Sequence, residues 1–307
     1  MHKRIHRFSC TAILAIASLA GVAQDQVSPR PLTSVAPILS QGSMNVFRRF
    51  AAEPKAMYEF YGEVLGLKQL TTFDVGNNTN VARFQAGDSQ LKLTARTPNR
   101  QYHPGDVQEA TGVRLITLYF PDQKLLSERF RTHGLPVPEF KPIAGSNRSS
   151  ALTKDPDGQW VELLVAPDAP AGVYKQIEIG LTVSNLAASR KFYREFVGLE
   201  ELPPVEDPVF HVTKYPYRHG STIVNLRSFD KPLPADTGSG GIQYVVSDVK
   251  AVEALGKARQ VTVEQPLDTV QSFSLTTVWL ATIWLDDPDG ITNYFAQVGV
   301  PGPPRGK

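Results

Sequence analysis

The chain contains two motifs that each occur twice, and both repeats are separated by the same distance. The first is a Phe-Tyr pair followed after four residues by Gly-Leu, at 60–67 and again at 192–199. The second is Asp-Pro-Asp-Gly, at 155–158 and again at 287–290. Unrelated motifs that repeat with one offset, here 132 residues, indicate an internal duplication. The 307 residues are enough for two copies at a typical domain size of about 150 residues.

The composition is that of an ordinary globular protein, with 41% hydrophobic and 20% charged residues. The formal net charge is +2, and three of the basic residues lie within 1–23, a segment without acids. The remainder of the chain is therefore close to neutral. It lacks the basic surface that nucleic-acid binding requires, so no nucleic-acid partner is expected.

The amino terminus has the pattern of an export signal. Three basic residues precede an apolar run, Phe8 to Ala20, that is too short to span a bilayer stably. The pattern predicts a signal peptide at 1–23 and an exported protein, periplasmic or secreted, with an uncleaved anchor as the alternative. No integral membrane span is expected after signal removal. The one cysteine, Cys10, lies inside the signal, so the mature protein would contain no disulfide.

Apolar periodicity predicts one order of elements four times over: a strand, a helix and three further strands. Asp122, Asn185 and Asp248 stand where helix N-caps are expected, and Gly66 and Gly198 stand where helices should end. The pattern predicts a flexible leader, two tandem domains and a loose tail, at 24–43, 44–167, 173–298 and 299–307.

This order of elements, together with the Phe-Tyr and Asp-Pro-Asp-Gly motifs, resembles the vicinal oxygen chelate superfamily. That superfamily includes glyoxalase I, bleomycin-resistance proteins and extradiol dioxygenases. The resemblance covers about residues 43–298. It implies an α+β fold in which four βαβββ units form two cupped mixed-sheet domains, each enclosing a ligand cavity. The motif aromatics are expected to be core residues, and Asp155 and Asp287 to stabilise turns.

The resemblance also implies where metal ligands would stand. Metal-using members direct three or four His, Glu or Gln side chains into the cup, from the first and last strand of each unit. In the first copy these positions fall at Asn45 (or Val46), Lys92, Arg114 (or Leu115) and Glu162. Only Glu162 is a credible ligand there, because the positive charge of Lys92 or Arg114 would repel a cation.

In the second copy the corresponding positions are Glu178, Asn225, the 241–243 stretch with Gln243, and Tyr294. Glu178 could serve as a ligand with help from Gln243, whereas Tyr294 stands where metal-binding members carry glutamate. No histidine occupies a ligand position in either copy, although His211 could point into the cup. We therefore predict that the fold is kept and that the usual metal centre is lost.

Three functions remain open at this point. The first is an exported protein that binds a small-molecule ligand without a cofactor, in a cavity formed by Asn45, Lys92, Arg114, Asn225, Gln243, Tyr294 and His211. The second is a glyoxalase- or dioxygenase-type lyase or oxidoreductase. In it Glu162 or Glu178 would be catalytic, either with a divalent metal such as Fe, Mn, Ni or Zn or as a metal-free general base. The third is a structural module without a ligand. Four units in one chain would suffice for a monomer, and a homodimer is equally compatible.

Overall fold

The order of strands and helices follows the four predicted repeats, which are called units 1 to 4 below. The computed structural model describes residues 31–74, 79–272 and 278–302. The predicted signal peptide at 1–23 lies outside the described residues. Among the helices of the described ranges, none has both the length and the apolar character needed to cross a bilayer.

Units 1 and 2 make up the first copy of the duplication. Unit 1 contains β1 (Asn45–Phe50), α1 (Pro54–Glu59), β2 (Lys68–Asp74), β3 (Asn80–Ala86) and β4 (Ser89–Ala95). Unit 2 contains β5 (Gly112–Phe120), α2 (Gln123–Thr132), β6 (Lys141–Pro142), β7 (Ser149–Lys154) and β8 (Trp160–Val165).

Units 3 and 4 make up the second copy. Unit 3 contains β9 (Ile177–Thr182), α3 (Leu186–Lys191), β10 (Glu200–Glu201), β11 (Val205–Glu206), β12 (Thr213–His219) and β13 (Thr222–Arg227). Unit 4 contains β14 (Gly240–Val245), α4 (Val249–Ala258), β15 (Val263–Ser272), β16 (Val278–Asp286) and β17 (Thr292–Val300).

The predicted helix caps are confirmed. The side chains of Asp122, Asn185 and Asp248 each accept a hydrogen bond from a backbone N–H in the first turn of the helix that follows. Gly66 and Gly198 adopt positive φ values of 72° and 85° directly after the first helices of the two copies. In both copies the helix continues into a π-helical turn that contains the Phe-Tyr motif, at Phe60–Val64 and Phe192–Val197.

The two repeated motifs contact each other, which explains why they repeat together. The hydroxyl of Tyr61 donates to Asp155 at 2.8 Å, and that of Tyr193 donates to Asp287 at 2.9 Å. Both tyrosines are fully buried, as predicted for core aromatics. Each aspartate also accepts backbone N–H groups of its own turn, in agreement with the predicted role in turn stabilisation.

The strands form two mixed sheets, and each sheet contains one unit from each copy. Sheet 1 joins units 1 and 4 in the order β15-β16-β17-β14-β1-β4-β3-β2. Sheet 2 joins units 2 and 3 in the order β10-β12-β13-β9-β5-β8-β7-β6, with β11 paired to β12. Within every unit the first and last strands pair in parallel, and the two units of a sheet meet at an antiparallel seam, β1 with β14 or β5 with β9.

This pairing confirms the predicted fold class and changes how the predicted cavity residues group together. The sequence pattern predicts one group of cavity residues in each copy, at 44–167 and 173–298, whereas strand pairing groups these residues by sheet. The reason is that apolar periodicity defines each unit but not its neighbour across a seam, which depends on contacts distant in sequence. The predicted domain boundaries, 44–167 and 173–298, describe the two copies along the sequence and remain predictions.

The described part of the predicted leader is packed onto the fold. Val35 is fully buried, and its N–H donates to the carbonyl of Phe196 at 2.9 Å. Ala36–Ile38 form a 3₁₀ turn, and Leu39 pairs with Val246. Residues 32–43 are therefore packed against the fold despite their proline-rich composition, because apolar side chains such as Val35 are buried against units 3 and 4.

Candidate ligand sites in the two cups

Four predicted cavity residues lie in the first cup, the concave face of sheet 1 on the side away from its helices: Asn45, Lys92 and Gln243 form a cluster, and Tyr294 lies opposite Gln243. Lys92 Nζ donates to Gln243 Oε1 at 2.5 Å, and Asn45 Nδ2 lies 3.4 Å from the same oxygen. Asn45 Oδ1 accepts the backbone N–H of Gln90 at 2.9 Å, which orients its amide. The oxygen of Gln243 is thus held between an amine and an amide from the other half of the chain.

Strand alternation places these side chains on one face. Leu91 and Leu93 are fully buried in the core, so Lys92 between them projects into the cup. Asn45 lies opposite Gln243 across the β1–β14 seam, and Gln243 lies opposite Tyr294 across the neighbouring pair. A second positive charge, Arg83, is directly opposite Lys92 on β3.

Arg83 and Lys92 approach the same aromatic ring. The Arg83 guanidinium lies 3.7 Å from the ring centroid of Phe73, and Lys92 Nζ lies 5.9 Å from it. Arg83 donates twice to the carbonyl of Thr71, at 2.8 and 2.6 Å. Burial, followed by the nearby charge of Arg83, lowers the pKa of Lys92 to about 7. The lysine is therefore poised between its charged and neutral forms near neutral pH.

An aromatic wall stands on the unit 4 side of the first cup. The ring of Trp284 lies 4.7 Å from that of Tyr294 and 5.6 Å from that of Phe47. The guanidinium of Arg49 lies 5.6 and 5.4 Å from the Phe47 and Trp284 rings. The cup thus combines flat apolar surface with positive charge.

The second cup, the concave face of sheet 2, contains the two predicted glutamates. Glu162 accepts from Thr117 Oγ1 at 2.8 Å and from Ser150 Oγ at 2.7 Å. Thr117 pairs with Glu162 on one side and with Glu178 on the other, so the glutamates are two strands apart, about 10 Å between their backbones. Both carboxylates therefore lie on the same face of the sheet, but they are not on adjacent strands because the strand of Thr117 separates them.

Glu178 is surrounded by hydrogen-bond donors. Asn225 Nδ2 donates to Glu178 Oε2 at 2.5 Å, the hydroxyl of Tyr119 donates to Oε1, and Lys214 Nζ lies 3.7 Å away. Burial, with the charge of Glu178 next, raises the pKa of Tyr119, which keeps its hydroxyl protonated as a donor. Each carboxylate in this cup is thus held by side chains of the protein.

The donor groups of both cups differ from the three or four His, Glu or Gln side chains that the resemblance implies for a metal cage. In the first cup the central group is the amine of Lys92, which repels a cation when protonated. In the second cup each oxygen of Glu162 and Glu178 already accepts a side-chain hydrogen bond. Within the described ranges, no group of three or more His, Cys, Asp or Glu is placed to hold an ion.

Two predicted cavity residues lie apart from these clusters. Arg114 is buried in an ion pair with Asp236 and donates to the carbonyls of Thr111 and His103 at 2.9 and 2.6 Å, so it ties down loops. His211 is exposed at a positive φ of 55° in the turn before β12.

Sequence reasoning missed several residues that shape the cups. Thr117, Tyr119 and Ser150 in the second cup alternate with buried core residues, and this alternation could have identified them. Lys214 could not be predicted, because no sequence pattern indicates that its side chain reaches Glu178. The opposition of Arg83 and Lys92 depends on the register of the β3–β4 hairpin, which apolar periodicity does not specify.

Two of the open grooves outside the cups lie at matching places in the two copies. One, of about 540 Å³, runs between the helix that carries Phe60 and the first Asp-Pro-Asp-Gly turn. The other, of about 320 Å³, runs between the helix that carries Phe192 and the second such turn. Their largely apolar walls result from packing helices against turns, and the candidate cup residues do not line them.

Two cupped mixed sheets built from four βαβββ units define a glyoxalase-like class of protein. The family model for the Glyoxalase/Bleomycin resistance protein/Dioxygenase superfamily matches residues 43–163. A lactoylglutathione lyase of Pseudomonas aeruginosa is 30% identical over 138 residues, which cover 37% of this chain and 77% of that protein. The chain therefore belongs to the glyoxalase/bleomycin-resistance/dioxygenase superfamily, whose glyoxalases usually bind a divalent metal.

Other relatives agree with the family and the fold. Lactoylglutathione lyase GLX1 of Arabidopsis thaliana is 27% identical over 156 residues, covering 50% of this chain and 54% of that protein. A V278E mutant of Zea mays glyoxalase I superposes with a TM-score of 0.63 at 20% identity, covering 84% of this chain and 92% of that one. A putative dioxygenase of Bacillus subtilis superposes with a TM-score of 0.58 at 16% identity, covering 86% of each chain. At these identities the structural likenesses establish the fold alone.

Proposed function

We propose that this protein binds a small organic molecule in the first cup and does so without the usual metal of its superfamily. The observation that carries the proposal is the hydrogen bond between Lys92 and Gln243, 2.5 Å long, at the centre of the cup. A side-chain amine occupies the place where a metal-using relative needs anionic or imidazole donors. In this proposal, polar side chains of the protein orient the ligand instead of a metal ion.

The walls of the first cup support binding of a flat molecule. Trp284, Tyr294 and Phe73 offer ring faces, while Lys92 offers an amine that Gln243 orients. A small-molecule site typically combines such apolar surface with a few convergent polar groups. The side chains of Asn45 and Gln243 are almost fully buried, so the ligand would contact the cup above them rather than displace them.

Intrinsic tryptophan fluorescence tests this proposal, because Trp284 lies in the wall of the cup. A panel of small aromatic and amphipathic metabolites is expected to include compounds that quench saturably. Gln243→Leu should weaken that quenching, and Glu162→Gln in the second cup should leave it unchanged. A flat response across the panel would count against the proposal, as would near-stoichiometric Fe, Mn, Ni or Zn in the purified protein.

We also propose that the protein is exported and that it functions as a monomer. The basic and apolar pattern of 1–23 supports export, and N-terminal sequencing of the protein recovered from a secreting host tests it. Cleavage near residue 24 is expected, whereas an intact Met1 in a membrane fraction would favour the uncleaved anchor. Because both sheets are completed within one chain, a monomer is expected, and light scattering would reveal a homodimer instead.

A second candidate function is a lyase or oxidoreductase of the second cup. The specific observation in its favour is that Glu162 and Glu178 both flank Thr117 on one concave face. In addition, the buried Oδ1 of Asn225 has no donor among the described residues, so a bound molecule could supply one. The similarity to two lactoylglutathione lyases raises the same possibility.

Substitutions of the two glutamates test this alternative. If the second cup is catalytic, Glu162→Gln or Glu178→Gln should abolish turnover of a hemithioacetal of methylglyoxal and glutathione, with any metal retention lost as well. The exposed Glu200→Gln is the matched control. Absence of turnover in the wild-type protein, with or without added Mn²⁺, Ni²⁺, Zn²⁺ or Fe²⁺, would remove this candidate.

A further inference from the structure

The first cup collects positive charge that the protein does not neutralise. Arg49, Arg83 and Lys92 lie on neighbouring strands, and among the described residues none of them has a carboxylate within ion-pairing distance. Buried arginines elsewhere each contact at least one carboxylate: Arg48, Arg114 and Arg227. Among the buried arginines of the described residues, Arg83 on the concave face is the one without such a contact, and the partly buried Arg49 and Lys92 lie on the same face.

Two of these cations face each other directly. Arg83 and Lys92 are register partners on β3 and β4, and both side chains lie beside the ring of Phe73. Like charges directly opposite on adjacent strands are destabilising, and burial increases their cost because water screens them less. Neutral oxygens of Thr71 and Gln243 solvate the pair but leave the net charge in place.

The acidic groups nearest the aromatic wall do not supply the missing charge. Glu264 and Asp286 are held by Arg100, at 2.7 and 3.0 Å. The charge of Glu264 acts on Arg49 from a distance, but the two side chains, both within the described ranges, do not form an ion pair. The concave face therefore keeps an excess of positive charge beside Trp284 and Tyr294.

We infer that the first cup selects a small organic anion with a flat apolar body, either a carboxylate or a phosphate monoester. Its charge would lie between Arg83 and Lys92, and its body would lie against Trp284. The inference rests on the proposed function, because it names the class of ligand for the same cup. A bound anion offsets the repulsion between the two cations, and the aromatic wall contributes apolar contact.

Matched probes separate charge from shape. Benzoate and phenyl phosphate carry the two anionic groups, benzyl alcohol has the same ring without charge, and sodium sulfate has the charge without a ring. Binding is followed by tryptophan quenching in a Trp160→Phe and Trp279→Phe background, in which Trp284 is the remaining tryptophan. Trp284→Phe should abolish the signal.

The expected result is saturable quenching by at least one aromatic anion, with benzyl alcohol about tenfold weaker or more. Lys92→Met should weaken anion binding by a similar factor. Lys214→Met, which removes a cation from the second cup, should leave anion binding unchanged. In the wild-type protein, binding of the anion should weaken as KCl is raised, while that of benzyl alcohol should not. This salt comparison needs no variant, so it remains informative if Lys92→Met does not fold.

Other outcomes overturn the inference in distinguishable ways. Equal binding of benzoate and benzyl alcohol, insensitive to Lys92→Met and to salt, would leave the proposed function standing and remove the anion selectivity. Equally strong binding of sulfate and phenyl phosphate would mean an inorganic anion site without an organic ligand. If these probes and the wider metabolite panel all fail to bind, the proposed function and the inference fall together.

Discussion

At the residue scale, the duplication has left two buried aspartates in unequal surroundings. Asp155 accepts from Tyr61 and pairs with the buried Arg48, whereas Asp287 accepts from Tyr193 and has no arginine partner among the described residues. The position 132 residues after Arg48 is Gly180, so the second copy has no counterpart. Burial, with the charge of Asp289 adding to it, raises the pKa of Asp287 to about 7.

This inequality predicts a pH-dependent stability that originates at Asp287. Its pKa rises from 3.8 to about 7 on folding, so the folded state holds the proton more tightly. The associated stability is complete below pH 4 and is lost as the pH rises through about 7. Asp287→Asn should remove a few kcal/mol of this dependence, measured by urea denaturation between pH 4 and 8.

Asp155→Asn is the matched control for that measurement. It should destabilise the protein over the whole pH range, by about 3–5 kcal/mol, because it leaves Arg48 buried without its main carboxylate partner. A pH profile of Asp287→Asn that is parallel to that of the wild type would show that the second aspartate is already ionised at neutral pH.

At the element scale, the pairing of β3 with β4 places two positively charged side chains, Arg83 and Lys92, opposite each other. Because Lys92 is partly buried opposite the buried Arg83, Lys92→Met should stabilise the ligand-free protein by about 1 kcal/mol. The gain should be larger at pH 6 than at pH 9, since the depressed pKa of Lys92, about 7, means that its charged form is the costly one. Thermal or urea unfolding at both pH values measures the change.

Lys214→Met provides the opposite case for comparison. Lys214 lies 3.7 Å from Glu178, so its loss should be neutral or slightly destabilising. If Lys92→Met were destabilising at pH 6, the cation in the first cup would be stabilised by the protein itself, and the reasoning for a bound anion would lose its basis.

The ends of the first helices in the two copies provide a second test at this scale. Gly66 and Gly198 both adopt positive φ, so alanine should cost about 1 kcal/mol at each from backbone conformation. A Cβ at Gly198 would also lie 2.7 Å from Ala36 Cβ, in the packed leader, whereas one at Gly66 would meet the flexible side chain of Arg129. Gly198→Ala should therefore be the more destabilising in urea unfolding. Equal effects would mean that the segment around Ala36 is not held against the Phe192–Val197 turn and Gly198.

At the scale of the whole molecule, the sheets are completed only when the two copies combine. A fragment of residues 173–302 retains units 3 and 4 but lacks β5 and β1, the strands that pair with β9 and β14 across the two seams. Because β9 corresponds to β1 by the duplication, β9 of one fragment can pair with β14 of another. We expect this fragment to be a dimer in light scattering. A stable, folded monomer would contradict the cross-copy pairing.

Much of this architecture could be predicted from sequence, and the limits have physical causes. The repeats, helix caps and motif aromatics were predicted because they depend on local propensity and periodicity. The neighbours at each seam were not, since Asn45 and Gln243 meet through a contact that spans most of the chain. Lys92 and Gln243 were both predicted as cavity residues, but in different domains, and only the β1–β14 seam brings them together.

The central claim is that the first cup uses side-chain groups of the protein, with Lys92 at their centre, in place of a metal ion. The most direct test is a tryptophan-quenching titration of the EDTA-treated protein with the tightest ligand of the panel, before and after addition of Mn²⁺, Ni²⁺ or Zn²⁺. We predict saturable binding in the metal-free protein, with the same affinity after each addition. Binding that appears only when a metal is restored would contradict the claim.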